Sequence, residues 1–346
     1  MTGKSAESSR SLIEGLREPT LVVAQDGRVT LGNAAARKLL GQDVEGTVLS
    51  QVIAHPAATE WLERSDRGSA EEVELSALAG SRRHWIMRMA SLDDGQFLIR
   101  LIDRSEAHAA EQMRVDFVAN ASHELRTPLS TLIGYTETLR DEGAEIDGET
   151  RERFLGVIDD EAHRMQSVVE DLISLSRIEA ERFSTPTDAV ELPPLIEQVV
   201  SNSRRSADKR KSQLVVSIAD GLPPIAADSG QVLQLLDNLV TNALRYGTPG
   251  TPVAISAEPE GAMVHLIVAD EGEGIAPEHI KRVTERFYRV DTSRSRALGG
   301  TGLGLSIVKH VLNLHEAELR IESEAGVGSI FTCVFDRSRL LVDGSD

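Results

Sequence analysis

Phe117 to Leu129 reads FVANASHELRTPL. Steps of three and four residues place Val118, Ala121, Leu125, Pro128, Leu132, Tyr135 and Leu139 on one seam of a helix, and such a seam needs a partner helix. On the same wheel His123 lies opposite the seam and points outward, with Glu124 beside it and Thr127 one turn further along. Pro128 has no amide hydrogen for the carbonyl of Glu124, so the helix should bend just beyond the histidine. By periodicity alone His123 is a surface histidine on a coiled-coil face, and the rest of the chain has to decide otherwise.

Downstream, Gly143 to Gly148 is a turn-rich break. Glu149 to Glu181 then forms a second helix with Phe154, Ile158, Met165, Val168, Leu172 and Leu175 along one face. The two helices make a hairpin, and each seam is too broad to be covered by its neighbour alone. Pairing of two chains into a four-helix bundle buries both, and a monomeric hairpin packed on another domain is the alternative.

Upstream, Glu106 to Thr127 lacks Gly and Pro, as a continuous helix leading into the motif requires. Before it, Thr20 to Ala24 and Arg28 to Leu31 read as a hairpin about Asp26-Gly27. Asn33 to Leu40 and Val48 to Leu62 read as short helices, and Glu71 to Leu78, Trp85 to Met89 and Gln96 to Ile102 as three further strands. This α+β layout resembles a PAS domain, including the Asp103 and Ser105 pair where the last strand hands over to the long helix. His55 and His84 are isolated and read as surface or packing residues rather than haem ligands. A flavin-adduct sensor would need a cysteine in this region, and there is none.

The whole chain of 346 residues, 40% apolar, is long enough for two or three domains with real cores. Its 37 basic and 55 acidic residues leave a formal charge of −18, which argues against nucleic-acid binding and adhesion to an anionic membrane. The one cysteine, Cys333, rules out an internal disulfide, fits a reducing compartment and reads as core packing. No apolar run reaches the length of a membrane span, so a cytoplasmic location is expected, with membrane association only through segments outside this sequence or through a partner. MTGKS at the N-terminus lacks the upstream glycine of a P-loop. The basic cluster Arg204, Arg205, Lys209, Arg210 and Lys211, without aromatic neighbours, reads as a solvated helix end.

After the linker Phe183 to Leu192, Pro193-Pro194 opens another helix. Asp237 to Gly247, DNLVTNALRYG, places Asn238 and Asn242 one turn apart on a common helix face, where a carbonyl oxygen suits Mg²⁺. Asp270-Glu-Gly272-Glu-Gly274 follows two strand-like runs, Val253 to Ala257 and Met263 to Ala269; its glycines permit close backbone approach and its carboxylate can accept from an amino group. Gly299-Gly300-Thr301-Gly302-Leu303-Gly304 leads straight into a helix over Leu303 to Leu314 and offers free amides to phosphates. Glu285 to Arg289, ERFYR, with the polar stretch Val290 to Leu298 reads as a lid. Gly326 to Phe331 turns into a last strand with Leu319 to Ser323 as its partner. Each motif is weak alone, and their joint order carries the weight.

SHELRTPL, followed by a helix ending in DLISLSRIE, resembles the dimerisation and phosphoacceptor domain of sensor histidine kinases. The later motifs are similar to the N, G1, F, G2 and G3 boxes of the ATPase fold shared by histidine kinases, type II topoisomerases, Hsp90 chaperones and mismatch-repair ATPases. The resemblance implies that His123 attacks the γ-phosphoryl of ATP, that Glu124 accepts the proton of its other ring nitrogen, and that Thr127 holds a water in a phosphatase reaction. It implies Asn242 as the Mg²⁺ ligand, Asn238 and Arg245 near the phosphates, Tyr246 on the adenine side and Asp270 on the adenine amine. Gly272 and Gly274 belong to the adenine box, and Gly300, Thr301, Gly302, Leu303 and Gly304 to the phosphate loop.

Hydrolytic relatives carry a glutamate four residues before the Mg²⁺ asparagine; here that position is Asn238, which favours transfer to histidine over hydrolysis. The expected fold is multidomain α+β: a PAS-like sensor over 12–103, a dimeric helical hairpin over 104–182, a linker over 183–192 and an α/β sandwich ATP-binding domain over 193–337, with 1–11 and 338–346 as tails. The expected cofactors are ATP and Mg²⁺, and the expected partners a second copy and a response regulator receiver domain, with no nucleic acid. The PAS-to-DFVANASHELRTPL junction most resembles the phosphate-regulon sensor kinases. A non-catalytic nucleotide-binding scaffold and a mainly phosphatase-acting member are the alternatives.

Overall fold

Alternation in β4 (Trp85–Ser91) and β5 (Phe97–Asp103) sends Trp85, Met87, Met89, Phe97, Ile99 and Leu101 to one face, and all six are buried. The computed structural model describes residues 10–41, 44–56, 60, 71–76, 78, 80, 83–92, 95–141, 146–180, 185–290 and 300–337. The chain divides into two compact units, Met1–Asp116 and Phe117–Asp346.

In the first unit, β1 (Thr20–Val23), β2 (Val29–Gly32), β3 (Glu71–Leu75), β4 and β5 form an antiparallel sheet in the order β2-β1-β5-β4-β3. Helices α1 (Ala34–Leu40) and α2 (Leu49–Val52) lie between β2 and β3 in sequence. Buried Asn33 caps α1 by accepting from the Ala36 amide at 2.8 Å, and its amide nitrogen donates to the carbonyls of Leu16 and Glu18. The single helix expected over Val48 to Leu62 is broken: α2 stops at Val52, because a residue preceding proline, here His55 before Pro56, disfavours helical backbone. Residues 57–59 and 61–62 of that expectation lie outside the described residues. Asp103 accepts from the Ser105 amide at 2.9 Å and pairs with Arg83 at 3.1 Å. His84 stacks on His108 at 3.6 Å between ring centroids.

Helix α3 (Ser105–Asp141) continues unbroken through Pro128, and α4 (Gly148–Ala180) returns beside it. Tyr135 and Phe154 meet across the hairpin at 4.9 Å between centroids. The seam is as read, save that Val118 is exposed. Residues 143–145 of the expected turn, 183–184 of the linker and 291–298 of the lid lie outside the described residues, as does Gly299.

A second five-stranded sheet, in the order β11-β12-β10-β9-β7, holds β7 (Leu214–Ile218), β9 (Val253–Glu260), β10 (Met263–Asp270), β11 (Glu318–Glu324) and β12 (Gly328–Asp336). Only the β7–β9 pair in it is parallel, and parallel neighbours need a long crossover. Helices α5 (Leu192–Arg210), α6 (Ser229–Tyr246) and α8 (Gly304–Leu314) pack their apolar faces into one core with the sheet. The short helix α7 (Pro277–Ile280) and a two-stranded ribbon of β6 (Ala189–Val190) and β8 (Ile225–Ala226) complete the fold. Leu175 and Ile178 of α4 belong to that same core, which is why the hairpin and this domain form one unit. Cys333 is fully buried and burial pushes its thiol pKa up. Arg210 leaves the solvated end of α5 and donates to the Gly247 carbonyl at 2.8 Å.

Candidate active site

Helix α6 builds one wall of the site. Asp228 caps it by accepting from the Gln231 amide at 2.8 Å. Its apolar positions Leu235, Leu236, Leu239, Val240 and Ala243 are buried, which leaves Asn238, Asn242 and Arg245 together on the edge that faces a cavity of about 380 Å³. Asn238 is oriented by donating to the Gln234 carbonyl at 3.0 Å. The volume lies in the range of nucleotide-sized pockets, roughly 300–1,000 Å³.

The cavity gathers Asn238, Asn242, Arg245, Tyr246, Asp270, Gly274, Gly300, Thr301, Gly302 and Gly304. Two expected residues do not line it. Leu303 is fully buried in the core, and Gly272 sits behind the wall in an isolated bridge with Gly247. Gly274 has φ +61° and a Cβ there would lie 1.9 Å from the Glu324 carbonyl, so only glycine fits. At Gly304 a Cβ would stand 2.7 Å from Asn238 Oδ1, so the glycine-rich loop and the asparagine helix approach closely because the side chain is missing.

Burial pushes Asp270 up to about 6, against the opposing effect of its hydrogen bond from the Ser329 amide. Burial also lowers Arg245; Tyr246 and Asp171 oppose that, and nearby Arg289 adds to it. These groups fit an adenine nucleotide: a buried acceptor for an amine at one end, a buried guanidinium and open glycine backbone at the other.

His123 is exposed on α3 and does not line the cavity. The Thr127 hydroxyl donates back to the His123 carbonyl at 3.2 Å. Glu124 turns toward the ATPase-like domain, where Oε2 lies 3.3 Å from Arg164 and 3.4 Å from Arg289. Their side chains are 16%, 11% and 5% exposed. Phe117 packs on Phe287 at 5.9 Å between centroids, and Phe287 itself is held in left-handed backbone, φ 61°, by donating to the Gly302 carbonyl at 2.8 Å.

The sequence reading did not single out Ser167, Glu170 and Asp171 of α4, which line the cavity, or Arg164. A signal existed for Asp171: a carboxylate between Val168 and Leu172 on an otherwise apolar face is out of place unless it has a partner. Its partner is Thr301, whose hydroxyl donates to Oδ2 at 2.7 Å.

Residues 227–339 match the family model of the histidine kinase-, DNA gyrase B-, and HSP90-like ATPase, and residues 113–181 that of the His kinase A phospho-acceptor domain. The chain is 35% identical over 325 residues to the phosphate regulon sensor protein PhoR of Pseudomonas aeruginosa, covering 92% of this chain and 72% of that protein. It is 38% identical over 275 residues to the sensor-like histidine kinase SenX3 of Mycolicibacterium smegmatis, covering 77% and 71% respectively. The histidine kinase ThkA, solved with the response regulator protein TrrA, shares the fold at a TM-score of 0.52 and 19% identity, over 95% of this chain and 98% of that one. No helix among the described residues is long and apolar enough to cross a membrane. With an identity of this extent to PhoR and both signature domains in place, the chain belongs to the two-component sensor histidine kinases, ATP-dependent protein-histidine kinases, in the neighbourhood of the phosphate-regulon sensors.

Proposed function

We propose that this protein phosphorylates His123 from Mg-ATP and passes the phosphoryl group to an aspartate of a response regulator in a phosphate-regulon type of pathway. The observation that carries the reading is the pairing, within one unit, of an exposed histidine on a hairpin helix with a nucleotide-sized cavity that has no carboxylate at Asn238. Asp270 accepts from the adenine amine, Arg245 and the amides after Gly300 receive the phosphates, and Asn242 supplies a carbonyl oxygen to Mg²⁺. The metal supplies charge neutralisation on the phosphates.

The lone-pair nitrogen of neutral His123 attacks phosphorus, the bond to the ADP oxygen breaks, and the proton on the opposite ring nitrogen passes to Glu124. Glu124 has to leave Arg289 to do this. In the separate phosphatase reaction Thr127 holds a water against the aspartyl phosphate of the regulator, and inorganic phosphate leaves. Exposed Val118, Leu129 and Ile133 on α3 and Leu155, Val169 and Ile173 on α4 recur at close to whole helical turns, which supports a four-helix homodimer. The β2-β1-β5-β4-β3 order supports the PAS-like reading of the first unit.

Incubation with γ-labelled ATP is expected to give acid-labile, alkali-stable label that is absent in His123→Gln. Nucleotide binding without label would leave a signalling scaffold instead. Phosphotransfer profiling against the regulators of the source organism identifies the acceptor, and an unchanged dephosphorylation rate in Thr127→Ala would remove the role given to Thr127.

A further inference from the structure

The O–H of Thr301 is already used. Thr301 stands at the entrance to the glycine turn, and its hydroxyl donates to Asp171 Oδ2 at 2.7 Å while its oxygen accepts from the Leu303 amide at 3.2 Å. Asp171 is not part of the ATPase-like domain; it comes from α4 of the hairpin. Burial opposes its ionisation, as do Glu170 and Asp237, while the Thr301 hydrogen bond and the charge of Arg245 favour it. A group that a polyphosphate would use, the Thr301 hydroxyl, is therefore engaged by a hairpin carboxylate that shares the cavity wall with it and with Arg245.

We propose that Asp171 sets hairpin docking against nucleotide binding: the carboxylate occupies the Thr301 hydroxyl, on the wall it shares with Arg245, when the hairpin is docked, and the phosphates of ATP displace it. The inference rests on the kinase reading and adds a regulator to the same site. An anionic polyphosphate and a carboxylate in one part-buried cavity repel strongly because solvent screening is reduced there. Linkage makes the effect reciprocal: whatever docking takes from nucleotide affinity, nucleotide takes from docking. Asp171 is a positioning residue here, acting on Thr301 rather than on the reacting atoms.

The test uses the full chain and the Mg²⁺ complex of the non-hydrolysable β,γ-imido analogue of ATP. Titration calorimetry is expected to show Asp171→Asn, which keeps an acceptor for Thr301 but loses the charge, binding about tenfold more tightly than wild type. Glu170→Gln, on the same wall but with no bond to Thr301, is expected to change affinity less than threefold. Spin labels on cysteines placed at Asp160 and Lys309 read docking. Saturating analogue should lengthen or broaden their distance distribution in wild type, and Asp171→Asn should show that distribution without nucleotide. Unchanged or weaker binding by Asp171→Asn overturns the inference, as does an equal gain in Glu170→Gln or a distance that nucleotide leaves alone. If wild type binds no analogue, the kinase reading itself fails, which is a different result.

Discussion

Glu124 and Arg289 face each other at 3.4 Å, with Arg164 on the other side of the same carboxylate oxygen at 3.3 Å. The residue next to His123 is thus tied to the second hairpin helix and to the ATPase-like domain at once. The Nε of both arginines is buried without a hydrogen-bond acceptor among the described residues; the Glu124 carboxylate compensates both guanidiniums, and Glu161 at 3.8 Å is a second partner of Arg164.

Removing that carboxylate should therefore cost stability as well as activity. Glu124→Ala is expected to destabilise the second unit by about 3 kcal/mol, because Arg289 and Arg164 lose the carboxylate they share, Arg164 keeping Glu161 at 3.8 Å. Glu124→Gln should cost about half as much, since the amide oxygen still accepts. Urea unfolding followed by circular dichroism checks this, and an unshifted midpoint in Glu124→Ala would mean that the triad contributes nothing.

Asp270 gives a pH dependence of two opposite signs. Its folded pKa, about 6, lies above the ordinary value of 3.8. Between those values the folded state holds more protons than the unfolded one, so the contribution of Asp270 to the stability of the nucleotide-free domain falls as pH rises toward 6. In the proposed recognition of adenine the ionised Asp270 is the acceptor, so affinity for the ATP analogue should drop as pH is lowered through about 6. Asp270→Asn should flatten that profile and weaken binding roughly 10- to 100-fold, the value of a charge-assisted hydrogen bond. Calorimetric titrations between pH 5 and 8, on the order of one per half unit, would show it.

Two glycines should behave differently. Gly274→Ala forces a side chain into the Glu324 carbonyl at a positive φ, and a loss of about 3 kcal/mol or more is expected, read as a lowered melting temperature. Gly304→Ala crowds the movable end of Asn238 and makes an ordinary contact with Asn242 at 3.7 Å. It should fold, with melting little changed, and lose nucleotide affinity because Asn238 is displaced.

The exposed rows on the hairpin predict an oligomeric state. Ile133→Glu, alone or with Ile173→Glu, is expected to shift the chain from dimer to monomer in sedimentation equilibrium while leaving the melting of the ATPase-like domain unchanged. A dimer that survives both substitutions would locate the interface elsewhere.

Most secondary structure was legible because local pattern and tertiary environment agree. The seam of α3, the proline opening of α5 and the alternation of β4 follow from which side chains must be hidden. Strand β7 was not legible: it is an edge strand with Val215 and Val216 exposed, and its place beside β9 is set by the crossover rather than by its own pattern. The two-residue strands β6 and β8 are too short to carry any periodicity.

By itself the sequence determined the hairpin, the exposed histidine and the order of the glycine and asparagine motifs, because spacing along a helix or around a turn dictates which residues share a face. It also indicated Asp270 as an acceptor and Asn238 in place of a hydrolytic glutamate. Only the tertiary structure decided what the charged residues of the hairpin touch. Glu124 meets Arg164 and Arg289, 40 residues away in one case, and Asp171 meets Thr301, 130 residues away. No local pattern encodes such pairs, since a carboxylate on a helix face is compatible with water until another domain is packed against it.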